Sequence, residues 1–110
     1  MIEVTLRAAE QIRFSMEKME SEDMMVRINA LREEDRKIRY NMGFDDPHPG
    51  DLILESNGIT LVVDPDSKPL VMGMTIDYFA LDGQMQFVFL NPNDTPPEEQ
   101  SESLVDIPPE

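Results

Sequence analysis

Two dipeptides, Asn57-Gly58 and Asp82-Gly83, constrain this chain more than any other feature. Each lies midway between runs rich in apolar residues. Each also supplies two residues that tolerate positive φ, as a two-residue hairpin turn requires. LILESNGITLVV (residues 52–63) and TIDYFALDGQMQFVFL (75–90) therefore read as two antiparallel hairpins. On the second, Ile76, Tyr78 and Ala80 share a face, as do Met85, Phe87 and Phe89 across the turn.

Before the hairpins the period changes once. From Thr5 the apolar positions Leu6, Ala9, Ile12, Met16 and Met19 recur every three or four residues, which predicts a helix capped by the Thr5 hydroxyl. Arg13 and Glu17, and Lys18 and Glu22, are spaced to pair on its outer face. From residue 24 the period becomes two. Val26, Ile28 and Ala30, and then Ile38, Tyr40, Met42 and Phe44, alternate with polar residues. These are two half-buried strands joined by the charged loop Arg32-Glu33-Glu34-Asp35. DDPHPGD (45–51) is a loop, because proline restricts its neighbour and donates no ladder bond. DPDSKPLVMG (64–73) gives a turn and a short helical stretch stopped by Gly73.

After Asn91-Pro92-Asn93 periodicity ends. Residues 91–110 hold six acids, five prolines and no base, too little apolar surface to offset ordering, so a disordered tail is expected. The fold class expected is α+β: an N-terminal helix packed on a compact, mostly antiparallel β structure of about six or seven strands. Residues 1–93 form the domain and 94–110 the acidic, Pro-rich tail.

Charge limits the partners. The net charge is −14, and residues 40–110 carry Lys68 as their one base against 14 acids. Such a field repels phosphate backbones, which disfavours direct nucleic-acid binding; the Arg27 and Arg39 faces are the basic surface available. A protein partner is expected instead, with the 45–51 loop, the tail and the Arg32–Lys37 loop as contact surfaces. No apolar run reaches the roughly 18–20 residues of a membrane span, and the first residues lack a signal core. A cytoplasmic protein is expected.

Catalytic chemistry finds little support. There is no cysteine, which removes thiolate nucleophiles and thiolate metal sites. The one histidine, His48, lies between two prolines and reads as an exposed loop residue. No G-x-S-x-G elbow is present, and the five glycines do not cluster into a phosphate loop. The acid pairs lack the spacing of a calcium loop. No catalytic, cofactor-binding or metal-binding residue is assigned, and no cofactor is expected.

The order of the pieces resembles a known family. Thr5, Ala8 and Ala9; Phe44 to Asp51; Gly58 to Asp64; Gly73, Ile76, Asp77 and Tyr78; and Phe87, Asn91 and Pro92 follow the pattern of the A-type iron–sulfur carriers, the HesB/IscA-like proteins. The resemblance covers about residues 2 to 93. It implies that family's fold, and it implies cluster ligands at one cysteine in the first hairpin loop and at a Cys-Gly-Cys after the Asn-Pro motif. In this chain those positions fall near Asp35, Glu98 and Gln100. Carboxylate and amide oxygens are hard ligands that do not replace thiolates around a sulfide-bridged cluster. YNMGFDD (40–46) further resembles a cysteine-less, DsrR-like subgroup associated with sulfur oxidation. The function implied is a non-catalytic accessory or regulatory protein of sulfur or iron–sulfur metabolism that binds a protein partner. The alternative is an iron carrier using carboxylates.

Overall fold

Thr5 starts the helix. Its backbone is extended, with φ −67° and ψ 162°, and its hydroxyl oxygen accepts the Ala8 N–H at 3.2 Å. The computed structural model describes residues 1–94, in which this cap opens α1 (Leu6–Lys18). The strands are β1 (Glu3–Val4), β2 (Met25–Arg32), β3 (Ile38–Asp45), β4 (Leu52–Ser56), β5 (Ile59–Val63), β6 (Thr75–Leu81) and β7 (Gln84–Leu90). A short α2 (Lys68–Val71) stands between β5 and β6.

The strands form two sheets. One has the order β3-β2-β5-β4 and the other β1-β6-β7. The three hairpins β2–β3, β4–β5 and β6–β7 are antiparallel, and β2–β5 and β1–β6 are parallel. Both two-residue turns form as their sequences require: Asn57 and Gly58 have φ 49° and 81°, and Asp82 and Gly83 have 54° and 82°. The α+β, mostly antiparallel architecture is as the sequence predicts, with β1 as an unforeseen seventh strand. Two residues are too few to show a period.

The core lies between α1 and the inner faces of both sheets. Ala8, Ala9, Ile12 and Met16 meet Val26, Ile28, Leu61, Val63, Met74 and Ile76 there. Two residues of the expected stripe are not in it: Leu6 is 67% exposed and Met19 65%. Leu6 lies about 100° round the helix from the centre of the buried stripe, at 100° per residue. Met19 sits past the last helical turn, as the C-cap. The expected helix-surface pairs are replaced too. Arg13 donates to the Asn57 carbonyl at 3.2 Å, Lys18 lies 5.4 Å from the Phe14 ring, and Glu22 falls beyond the helix. On the last hairpin the expected face holds at Ile76, Tyr78, Phe87 and Phe89. It fails at Ala80 and Met85, which are exposed where the tip passes the edge of the core.

These burials set the stability prediction. In urea denaturation Ile12→Ala, which empties a fully packed position, should cost about 2–5 kcal/mol. Leu6→Ala should change stability by less than about 0.5 kcal/mol.

Candidate functional site

The β2–β3 hairpin and the chain following β7 meet at one end of the molecule. Glu33 N–H donates to the Lys37 carbonyl at 2.8 Å, closing the hairpin. Arg36 turns the tip with φ 74°. Asp35 stands exposed at that tip, and its Oδ1 accepts the Lys37 N–H at 3.0 Å. Glu33 Oε2 pairs with Arg39 Nη2 at 2.7 Å. The carboxylates of this loop thus brace the turn or face solvent. They do not converge.

The end of β7 is tied to the same hairpin by a network the sequence did not announce. Asn91 Nδ2 donates to the Tyr40 hydroxyl (2.9 Å) and to the Leu70 carbonyl (2.7 Å). Asn93 Nδ2 donates to the Met72 carbonyl (2.8 Å), and Arg32 Nη2 donates to the Asn93 carbonyl (3.1 Å). Asp94 accepts the Ile38 N–H on Oδ1 and the Tyr40 hydroxyl on Oδ2, both at 3.0 Å. Tyr40 stacks on Phe89 with ring centroids 4.6 Å apart. Burial, with the Asp94 carboxylate beside it, pushes the Tyr40 phenol up to about 12. The root of the expected tail is therefore fixed three residues along the chain from Asp35. Glu98 and Gln100, and the rest of residues 95–110, lie outside the described residues.

Other polar residues that match the family pattern serve the scaffold. Asp64 accepts from Ser67 Oγ (2.6 Å) and Asn29 Nδ2 (2.8 Å), and Ser67 Oγ accepts the Ala30 N–H at 2.8 Å. Asp77 accepts from Thr5 Oγ1 (2.7 Å), Arg7 Nε (2.8 Å) and Arg7 Nη2 (3.0 Å). The Arg7 hydrogen bond, and then that of Thr5, hold the Asp77 carboxyl well below the usual carboxylate range.

The acidic 45–51 loop is folded onto Arg27. The guanidinium donates to Asp45 Oδ2 (2.8 Å), Asp51 Oδ2 (2.7 Å) and the Asp46 carbonyl (3.0 Å). The Arg27 and Asp51 side chains are 11% and 3% exposed. Two of the loop's three acids thus share the one Arg27 guanidinium, and Arg27 is not an open basic face. His48 is an exposed loop residue, as expected, with Nε2 3.5 Å from Asp45 Oδ2.

Among the described residues no group of three or more His, Cys, Asp or Glu side chains could hold a metal ion. No described helix is long and apolar enough to cross a membrane. The donors at the hairpin tip do not fit an iron–sulfur cluster: Asp35 offers one hard oxygen pair, half of it already bonded to the backbone.

The Arg27 node generates a pH prediction. The Asp51 carboxyl is lowered from 3.8 to about 2, first by the Arg27 hydrogen bond and then by the His48 N–H. A depressed carboxyl contributes stability above its unfolded pKa and loses it as pH falls through the folded one. Stability should therefore fall between about pH 4 and pH 2, and this slope should shrink in Asp51→Asn. Urea midpoints across that range check it.

Comparison with known proteins agrees with this geometry. Residues 1–96 match the model of a family described as iron-sulphur cluster biosynthesis. The iron–sulfur cluster insertion protein ErpA of Glaesserella parasuis serovar 5 is 36% identical over 88 residues, covering 78% of this chain and 77% of its own. The structure of IscA with the [2Fe-2S] cluster superposes with a TM-score of 0.71 at 27% identity, over 84% of this chain and 86% of that one. Escherichia coli SufA, involved in biosynthesis of iron–sulfur clusters, gives 0.70 at 25% identity, over 86% and 82%.

Proposed function

The chain belongs to the iron–sulphur cluster biosynthesis family, and from that membership we propose that it is a non-catalytic accessory protein that binds a protein partner in iron–sulfur or sulfur metabolism. It holds no cluster of its own in this reading. The observation that carries the reading is Asp35. At the hairpin tip, where the family resemblance implies a cysteine, stands an exposed carboxylate with one oxygen engaged by Lys37 N–H. The second implied ligand position follows Asp94, and residues 95–110 also lack cysteine.

We assign it further to the cysteine-less, DsrR-like subgroup, on the stretch YNMGFDD together with the absent thiols. In this reading its role belongs to sulfur oxidation and it acts in the cytoplasm. We take residues 1–93 as the domain and 94–110 as an acidic, Pro-rich tail; Asp94, the last described residue, bonds Ile38 and Tyr40. Direct nucleic-acid binding is disfavoured by the net charge of −14 and by Arg27 and Arg39 both lying in ion pairs. The partner surface in this reading is the hairpin tip together with the tail sequence, because the other acidic loop is closed on Arg27.

A pulldown from the native host at low salt tests this. The full chain should recover an identifiable protein of sulfur or iron–sulfur metabolism. A variant with Glu34→Lys and Asp35→Lys should lose that protein while its melting temperature stays within a few degrees. Recovery of no such protein by the full chain would count against the reading.

A further inference from the structure

The β3 strand forms one edge of its sheet: among the described strands it pairs with β2 alone. In an antiparallel ladder, opposed residues alternate between hydrogen-bonded and unbonded pairs. Glu33 N–H bonds the Lys37 carbonyl, so the pair 33/37 is bonded and Arg32/Ile38 is not. By that alternation the N–H and C=O groups of Tyr40, Met42 and Phe44 point away from β2. The Ile38 N–H points the same way and is met by Asp94 Oδ1 at 3.0 Å. That contact closes the edge at Ile38 and leaves Tyr40 to Phe44 beyond it.

Two features of this stretch point to another backbone beside it. On the inner face Tyr40, Met42 and Phe44 pack against the core, and Met42 and Phe44 border an apolar groove of about 330 Å³ with Ile12, Met19 and Phe87. On the outer face Gly43 stands opposite Arg27, beside a polar hollow of about 260 Å³ that Asn29 and Asn41 also line. Its own backbone does not require a glycine, since its φ is not positive, and nothing lies within 4 Å of where a Cβ would project. A glycine inside a strand costs stability and marks places where a second backbone comes close.

We propose that two copies of this chain pair antiparallel through β3, about a two-fold axis at Met42, and so join their four-stranded sheets into one. The strand is complementary to itself in this register. On the inner side Met42 faces the partner's Met42, and Tyr40 faces the partner's Phe44. On the outer side Arg39 faces the partner's Asp45, and Asn41 enters the hollow beside the partner's Gly43. Opposite charges directly across a ladder stabilise it, and like charges destabilise it. Parallel pairing in register would set Arg39 on Arg39 and Asp45 on Asp45. A slide by two residues in either direction would set Arg39 opposite Gly43 or Pro47 and lose the pair. The Arg39 and Asp45 side chains are 72% and 40% exposed, so each can take a second partner beside Glu33 and Arg27. The net charge of −14 opposes association at long range. In about 0.15 M salt that repulsion is screened beyond roughly 8 Å, and the facing pairs lie closer than this. The pairing is independent of the proposed sulfur-pathway role.

Sedimentation velocity of the full chain from about 10 µM to about 1 mM, in about 0.15 M salt, tests it. The chain should pass from monomer to dimer over that range. The Met42 and Phe44 amides should exchange hydrogen about fivefold slower or more at the upper concentration, with Ile28 and Val62 unchanged. Gly43→Val fills space that is empty in one copy and holds Asn41 in the pair. It should weaken dimerisation about tenfold or more, while the melting temperature of the dilute protein stays within a few degrees. Arg39→Asp should weaken it about tenfold, because both facing pairs turn from attractive to repulsive. A chain that stays monomeric to about 1 mM overturns the proposal. So does a dimer that forms without slowing Met42 and Phe44, or one that both variants leave intact.

Discussion

Everything else in the fold depends on how residues 1–5 are pinned between two sheets. On one side the β1 backbone pairs with β6: Glu3 N–H reaches the Met74 carbonyl and Thr5 N–H the Ile76 carbonyl. On the other side the β4–β5 hairpin meets the same residues, with Val4 N–H donating to Ser56 Oγ at 2.9 Å and Asn57 Nδ2 donating to the Val4 carbonyl at 2.6 Å. Val4 is fully buried, so each of these polar groups would be costly to leave unpaired. One residue thus joins the sheets. Thr5 then turns the chain into α1 while its hydroxyl donates to Asp77, which fixes the helix over the core.

The residues that carry the family pattern are largely fasteners of this kind. Asp64 ties the end of β5 to β2 through Asn29, and Asp77 ties β6 to the start of α1. Asn91 ties the end of β7 to β3 and α2. These bonds bring residues 91–94 beside the β2–β3 hairpin, near the tip position where the resemblance implies a cysteine ligand. In this chain the scaffold delivers solvent-facing carboxylates and guanidinium groups to that place. Such a surface suits recognition of another protein more than retention of a soft-ligand cluster.

Local chemistry was legible in the sequence, and long-range chemistry was not. The Thr5 cap, the turns at Asn57-Gly58 and Asp82-Gly83 and the Gly73 stop depend on neighbours in sequence. Each forms where its residues predict. β1 escaped notice because its partner is some seventy positions away and parallel. Arg27, read as a basic face, is spent on Asp45 and Asp51, 18 and 24 positions along. Leu6 and Met19 fit a helical stripe by spacing, yet the helix ends and the angle of packing exclude them from the core. At the site, the family resemblance directs attention to the neighbourhood of Asp35, which the structure shows exposed at the β2–β3 tip. The Asp94 anchor had no local signal beyond its place after Asn91-Pro92-Asn93.

The central claim is that an iron–sulfur biosynthesis fold here works by binding a protein instead of carrying a cluster. Anaerobic incubation of the full chain with ferrous iron, with and without sulfide, followed by gel filtration, tests it most directly. The account predicts no visible charge-transfer absorption and far less than one iron per chain after filtration. Stoichiometric iron that survives filtration, with such absorption, would contradict it and establish the carboxylate iron carrier instead.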